Sequence, residues 1–335
     1  MKINIGVNGL GRIGKNVLRR FFEKSYQNLN LVAINIGKSN VESKLHLLKY
    51  DSVHGIFKDI DYIQNDKISI KGSIVHLIKE NNIQNINWSK YNITIVLECT
   101  GRFNDKILST QHIDHSVKKV VVSALCKNAD KTIIMGVNQK SLSVDDKIVS
   151  VGSCTTNCFA PIAKILDRKL NIQSGFVTTI HSYTNDQRII DASHHDIRRA
   201  RAAALSIIPT TTSVAKAIEI VLPSFQGKLD GASIRVPTPN VSMIDFTFIS
   251  GKNTSPLEIN NIFKRITAND YKGIVTIVQG KMVSIDFNHM SESAIVDANE
   301  TKVVNKNFCR IVAWYDNEWA FSCRMLEVAN LMAIL

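Results

Sequence analysis

Ile3-Asn4-Ile5-Gly6-Val7-Asn8-Gly9-Leu10-Gly11-Arg12-Ile13-Gly14 starts as a short apolar strand, Ile3 to Val7, and ends in a G-x-G-x-x-G array. Val17, Leu18, Phe21 and Phe22 then recur at helical spacing, so a strand, a glycine turn and a helix follow one another. This order makes a cradle for a pyrophosphate. The first two glycines permit a tight turn and close backbone approach, and the helix N-terminus faces the anion. An ordinary turn can use glycines the same way, and the array alone decides little. A second apolar strand, Leu31 to Ile36, completes the opening of a βαβ unit. The stretch therefore predicts a parallel dinucleotide-binding sheet, with Asn8, Gly9, Gly11, Arg12, Ile13 and Gly14 as cofactor-binding candidates. Two later runs fit the same sheet. Ile93 to Gly101 is a buried-type strand ending in a hydroxyl, Thr100, and a glycine; Val120 to Ser123 repeats that pattern.

The chain has 335 residues, 44% of them hydrophobic and 21% charged, which is enough for a large core and about two domains. The formal net charge of +12 suits phosphate-bearing ligands or weak nucleic-acid contact. Lysine is spread along the whole length, however, as on a solvated basic surface, and a nucleic-acid partner is not expected. Six cysteines without dense spacing point to a reducing compartment rather than a disulfide scaffold. Strand-like sequence begins at once, leaving no room for a signal peptide, and no apolar run approaches the ~18 residues of a membrane span. A soluble cytoplasmic protein without a metal site is expected.

Ser153-Cys154-Thr155-Thr156-Asn157-Cys158 stands between an apolar strand, Lys147 to Val151, and an apolar helix predicted over Phe159 to Leu170. A thiol at a helix's positive end is favoured as thiolate, because orphan N–H groups and the helix dipole pull its pKa below the free value of about 8.5. Cys154 is thus the candidate nucleophile. Two cysteines four positions apart also describe an ordinary buried pair. The flanking hydroxyls and the lack of a CxxC spacing weigh against that for Cys154. Gly175 to Ile180 is a β-rich run delivering His181, a candidate general base for the cysteine. His194 and His195 read as surface loop residues.

Arg188, Arg198, Arg199 and Arg201 crowd a stretch too polar for a core. Such a stretch is a solvated loop, a subunit contact or a phosphate site, where guanidinium groups supply directional bonds. Beyond it, strands over Ser233 to Val236, Val241 to Ile249, Ile274 to Val278 and Phe308 to Tyr315 alternate with a helix over Pro256 to Ala268. An antiparallel-rich sheet with helices on one face is expected. A last helix runs from Glu318 to about Leu331.

SCTTNC with Ala160-Pro161, the segment HSYTNDQR from His181, RVPTPNVS from Arg235 and WYDNEW from Trp314 together resemble the glyceraldehyde-3-phosphate dehydrogenase family, in one order and from about residue 2 to the C-terminus. With the residue reading, this resemblance implies an α/β chain. Its parts are a Rossmann-type dinucleotide-binding domain at 1–153, an α+β catalytic domain with a mixed sheet at 154–317, and a C-terminal helix at 318–335 returning to the first. Implied too are a homotetramer and oxidation of glyceraldehyde 3-phosphate in the presence of inorganic phosphate. The thioester would form on Cys154, with His181 as base. Erythrose-4-phosphate dehydrogenase, a relative that releases product with water, and an inactive binding protein on the same scaffold stand as alternatives.

By the same resemblance Asn35, Thr100, Gly101, Ser123 and Asn317 meet the cofactor, Asn317 through the nicotinamide carboxamide. Thr184 and Arg235, with Arg198 as helper, take the substrate's own phosphate; Ser153, Thr155, Thr212 and Ser213 sit at the site of the attacking phosphate. The chain also departs from the family. Ile36 stands where an aspartate would bond the ribose 2′-hydroxyl, and Lys38 and Ser39 lie close enough in sequence to approach a 2′-phosphate. Ala192-Ser193 stands where NAD-restricted relatives have Leu-Pro. Both changes point toward NADP, so NAD or NADP is expected with a lean to the latter. Ser213 replaces a glycine, which puts the phosphate affinity in question.

Overall fold

The computed structural model describes residues 2–64 and 66–335. The chain divides into two compact units, Met1–Ser153 with Phe321–Leu335, and Cys154–Ala320. It is an α/β protein in which a parallel-rich sheet and a mixed sheet belong to different units.

Among the described residues the first unit holds a nine-stranded sheet, with Ile3–Asn8 flanked by Leu29–Asn35 on one side and Ile95–Glu98 on the other. All pairings from Lys131–Thr132 across to Ser73–Ile78 are parallel. Ile5, Val7, Ala33, Ile34, Val96 and Leu97 have no exposure at all, as strands covered on both faces require. The strand Ser73–Ile78 continues into an antiparallel tail, Lys67–Ile70 and Ile60–Ile63. That tail was not anticipated. Its alternation is broken by Asp61 and Tyr62, and only Ile60, Ile68 and Ile70 of its apolar residues are buried. Lys119 Nζ donates to the carbonyl of Met332 at 2.9 Å, tying the last helical turns to this unit.

The second unit is built on an eight-stranded sheet among the described residues. Ile172–Ser182 lies at its centre, parallel to Leu229–Val236 and antiparallel to Ser242–Ser250. Each expected strand agrees with an observed one to within four residues at either end, while Ile208–Thr210, Ala294–Asp297 and Lys302–Val304 lie outside the expected set. The difference that matters is that Ile172–Ser182 runs past Ile180 and takes in His181, whose register partner is Arg235. Helix Cys154–Leu170 begins at the cysteine itself, five residues before the apolar run that predicted it. Its first turn is polar but buried, since Thr156, Asn157 and Cys158 are all within 3% of complete burial. Helix Trp319–Met332 is capped by Asp316, whose Oδ1 accepts the N–H groups of Glu318 at 2.9 Å and Trp319 at 2.7 Å. Among the described residues no helix is long and apolar enough to cross a membrane, and no cluster of three His, Cys, Asp or Glu side chains could hold a metal ion.

Candidate active site

The first unit opens a groove at the C-terminal edge of its parallel strands, lined by Asn8, Gly9, Gly11, Asn35, Thr100 and Lys44 among others. Gly9 has φ +98° and its missing Cβ would press on Thr100, so the turn admits no side chain. A methyl on Gly14 would overlap the carbonyl oxygen of Gly9, which closes helix onto turn. Gly11 borders open space at the start of helix Arg12–Glu23. Ile13, in the first turn, is half-buried. This is a cradle that fits a pyrophosphate.

Asn8 and Asn35 do not reach outward with their amides. Asn35 Nδ2 donates to Asn8 Oδ1 at 2.7 Å and to the Glu80 carbonyl at 2.8 Å, and Asn8 Nδ2 donates to Glu98 Oε2 at 2.6 Å. They brace the groove wall. Glu98, fully buried, also accepts the Thr100 N–H at 2.7 Å and the Thr100 hydroxyl. Trp88 Nε1, which can only donate, meets His112 Nδ1 at 3.1 Å, so His112 presents Nε2–H to Glu98 Oε2 at 2.9 Å. Gly101 has φ +72° and is exposed. Ser123 follows the adjacent strand, its N–H on the Glu98 carbonyl at 3.0 Å.

Arg12 is turned to Asp51, 2.5 Å away, and Lys15 reaches the same carboxylate oxygen at 3.1 Å. Against the upward push of burial, the Arg12 guanidinium and the N–H groups of His54 and Val53 hold the Asp51 carboxyl far below the usual range. Arg12 therefore shapes the glycine turn from behind. Beyond strand Leu29–Asn35, Ile36 is buried at 5% exposure, as its place at a strand end dictates. Ser39 lines the groove, and the lysine lining it is Lys44 rather than Lys38. Lys44 escaped the sequence reading because it lies on helix Val41–Lys49, which had not been foreseen.

In the second unit Cys154 Sγ lies 3.4 Å from His181 Nε2. The expectation of a depressed thiol pKa is overturned. Burial pushes the Cys154 thiol up, and Arg235, the Thr155 N–H and the Thr155 hydroxyl pull it only part of the way back. Burial and then the Arg235 guanidinium bring His181 down to about 3. Burial thus opposes a charge on either group. Cys158, with no exposure, has its thiol pushed far up by burial and is a packed core side chain.

Arg235 Nη1 stands 2.7 Å from His181 Nδ1 and 2.9 Å from the Ser182 carbonyl oxygen. The arginine felt by both His181 and Arg235 is Arg199, not Arg198. Arg199 Nε donates to Thr210 Oγ1 at 2.8 Å and Nη1 to Asp186 at 2.6 Å, whereas Arg198 is exposed. The two are neighbours in a single-turn 3₁₀ helix, Arg198–Ala200, so their side chains point different ways. The Thr155 hydroxyl is 2.9 Å from Tyr315 Oη and buried, so it is engaged in the interior. Ser153 and Thr184 are half-buried. Thr212 accepts the Val214 N–H at 3.2 Å at the head of helix Val214–Val221, and Ser213 beside it is exposed. Asn317 Oδ1 accepts the hydroxyls of Ser182 at 2.8 Å and Ser242 at 2.9 Å, which fixes the orientation of its amide. His194, expected at the surface, is tucked between Asp186 and the Asp196 backbone, its side chain only 4% exposed.

This meeting of a thiol at a helix start with an imidazole and a guanidinium on one sheet, together with a glycine cradle at the edge of another, agrees with two family models. "Glyceraldehyde 3-phosphate dehydrogenase, NAD binding domain" matches residues 3–106, and "Glyceraldehyde 3-phosphate dehydrogenase, C-terminal domain" matches residues 153–317. Glyceraldehyde-3-phosphate dehydrogenase 2 of Nostoc sp. is 44% identical over 333 residues, 99% of this chain and 98% of its own. Glyceraldehyde-3-phosphate dehydrogenase of Cereibacter sphaeroides is 44% identical over 335 residues, covering 100% of both chains. The chloroplastic glyceraldehyde-3-phosphate dehydrogenase A of Zea mays is 42% identical over 334 residues, 99% of this chain and 83% of its own. Matched on both units and along its whole length, the chain belongs to the glyceraldehyde 3-phosphate dehydrogenase family.

Proposed function

We propose that the chain oxidises and phosphorylates glyceraldehyde 3-phosphate to 1,3-bisphosphoglycerate with NAD or NADP, using Cys154 as nucleophile and His181 as base. The observation that carries this is the 3.4 Å approach of Cys154 Sγ to His181 Nε2. A thiol whose proton is retained by burial becomes a nucleophile only if a neighbour takes that proton as the carbon–sulfur bond forms. His181, held neutral, has the lone pair to do so. Sulfur adds to the aldehyde carbon, and the proton reaches the carbonyl oxygen to give a thiohemiacetal on Cys154. His181 then accepts that hydroxyl proton as the carbon is oxidised to a thioester. When bound, the nicotinamide cofactor supplies the two-electron acceptor for this oxidation. Inorganic phosphate attacks the thioester carbon, the sulfur leaves, and the acyl phosphate is released.

Gly9, Gly11 and the start of helix Arg12–Glu23 would hold the pyrophosphate, Thr100, Gly101 and Ser123 the strand-edge side of the cofactor, and Asn317 the carboxamide. Thr184, Arg235 and Arg199 are assigned to the substrate phosphate, with Ser153, Thr212 and the Thr155 N–H for inorganic phosphate. Ser213 stays at the rim of that second site. Absence of a carboxylate at Ile36, with Lys44 in the groove, supports acceptance of NADP.

A homotetramer is proposed as well. Ile189, Ile190, Ile197, Leu205 and Ile207, all more than 70% exposed, crowd one segment, an apolar surface suited to a further copy of the chain. The six cysteines are free, which suits the cytoplasm. A Cys154→Ser variant tests the chemistry. It should bind cofactor normally and form no acyl enzyme, and undiminished turnover would overturn the mechanism.

A further inference from the structure

Helix Val41–Lys49 carries Lys44 to the cofactor groove, yet little of its own sequence holds it on the protein. It has nine residues, and isolated helices shorter than ~12–15 residues are marginal in water. Leu48 is its one fully buried residue. The anchor lies at its C-terminal end, where the last carbonyls of a helix lack intrahelical partners. The Leu47 carbonyl accepts Lys15 Nζ at 3.1 Å, the Leu48 carbonyl accepts Arg19 Nη2 at 2.8 Å, and the Lys49 carbonyl accepts the Phe57 N–H at 2.8 Å. Arg19 reaches further still. Its Nη2 donates to the Gly55 carbonyl at 3.0 Å and its Nη1 to the His54 carbonyl at 3.1 Å, so one guanidinium ties the helix end to the turn that follows it. Only 2% of Arg19 is exposed, and its guanidinium carbon stands 5.5 Å from the centre of the Phe57 ring. A cation is also the favoured charge at a helix C-terminus.

We infer that Arg19 is a positioning residue for cofactor choice: by holding the C-terminal carbonyls of helix Val41–Lys49 it keeps Lys44 in the groove, and with it the affinity for a 2′-phosphate. The inference rests on the reading above in which Lys44 meets that phosphate. Lys44 stands four positions before Leu48 and so shares its helix face, one turn away. Fixing the Leu48 carbonyl therefore fixes the turn from which Lys44 projects. Arg19 itself belongs to helix Arg12–Glu23, which begins at the glycine turn. One rigid rod thus sets the place of the pyrophosphate cradle at its start and of Lys44 through Arg19. NAD has no 2′-phosphate and gains nothing from Lys44, so a loosened helix is felt by NADP alone.

Calorimetric binding of each cofactor to the full chain tests this. Arg19→Met keeps an unbranched apolar stem against Phe57 and removes every donor. Its Kd for NADP should rise about 10-fold, as for a site competent about one-tenth of the time, and its Kd for NAD should stay within about 2-fold. Equal rises for the two would overturn the inference, because Arg19 would then support the whole unit. In a Lys44→Ala background, Arg19→Met should leave the Kd for NADP where Lys44→Ala alone puts it, since the contact that Arg19 positions is gone. A further rise there would overturn the inference as well. The wild type gives a second readout, which serves even if Arg19→Met does not fold. Amide hydrogen exchange across residues 44–50 should be slower in the saturated NADP complex than in the saturated NAD complex, and identical rates would show that the helix is not coupled to the phosphate. Failure of the Lys44 reading looks different, as Lys44→Ala would then bind NADP like the wild type.

Discussion

Cys154 Sγ and His181 Nε2 face each other across 3.4 Å in surroundings where burial opposes a charge on either group. Alkylation of Cys154 by iodoacetamide in the free protein should therefore keep rising as pH increases past 9, since the thiolate appears only above the raised thiol pKa. Rates of Cys154 labelling followed by mass spectrometry check this. A plateau already reached at pH 7 would mean that the pair is ionised in the free site.

His181 also links folding to pH. Its folded pKa, about 3, lies below the unfolded value of 6.5, so between these the unfolded chain binds the extra proton. The contribution to stability is complete above pH 6.5 and is lost as pH falls toward 3, at up to about 1.4 kcal/mol per pH unit. His181→Asn abolishes this titration. Chemical denaturation of both proteins should show the wild type losing ground to the variant as the pH falls from 7 to 4. Parallel pH dependences would contradict the burial of a neutral imidazole.

Cofactor choice should respond to Ile36 and Lys44. An Ile36→Asp carboxylate would accept from a ribose 2′-hydroxyl and repel a 2′-phosphate. The ratio of kcat/KM for NAD to that for NADP should rise by about 10-fold, equivalent to ~1.4 kcal/mol. Lys44→Ala should raise KM for NADP and leave KM for NAD nearly unchanged. Initial rates with both cofactors decide, and equal effects on the two would remove Lys44 from the 2′-phosphate contact.

The sheets were legible because they rest on periodicity and on glycines with a steric reason, as at Gly9 and Gly14. The proximity of Cys154 and His181 was legible too, since a cysteine at a helix start and a histidine at a strand end carry chemistry in their position. What a one-dimensional reading could not supply was which atom a side chain already satisfies. Arg12 read as a cofactor-binding residue, and its guanidinium is held by Asp51; the Thr155 hydroxyl is engaged by Tyr315 from 160 residues away. Nor could it give the sign of the Cys154 shift. The favourable helix end was visible in sequence, but the larger opposing effect of burial depends on packing from distant strands.

Arg198 and Arg199 should separate cleanly. Arg199 is bonded to Thr210 and Asp186 and lowers the pKa of His181 by its charge, while Arg198 is exposed. Arg199→Ala should lower kcat/KM for glyceraldehyde 3-phosphate by roughly 10–100-fold, the value of a charge-assisted bond of about 1.5–3 kcal/mol. Arg198→Ala should change it by less than about 3-fold. The reverse order would restore Arg198 as the phosphate ligand.

Asp51 offers the sharpest test of the first unit. Its carboxylate is nearly sealed, with 1% of the side chain exposed, and it serves Arg12, Lys15 and two backbone N–H groups at once. Asp51→Asn keeps the volume and one acceptor oxygen but leaves two cations facing each other, Lys15 with only 9% of its side chain exposed. Breaking one partner of a buried pair costs about 3–5 kcal/mol, and the 27% exposure of the Arg12 side chain places this case near the lower end. Because the folded carboxyl pKa is depressed, the wild-type advantage is present above the unfolded value of 3.8 and disappears as pH falls through the folded one. Denaturant titration at pH 7 and pH 2 should show a large gap between the two proteins at the first and a narrowing one at the second. Arg12 also begins the helix at the glycine turn, so the variant should raise KM for NAD and NADP alike. A stability loss confined to below about 1 kcal/mol would mean that solvent reaches Arg12 and Lys15 well enough to replace the carboxylate.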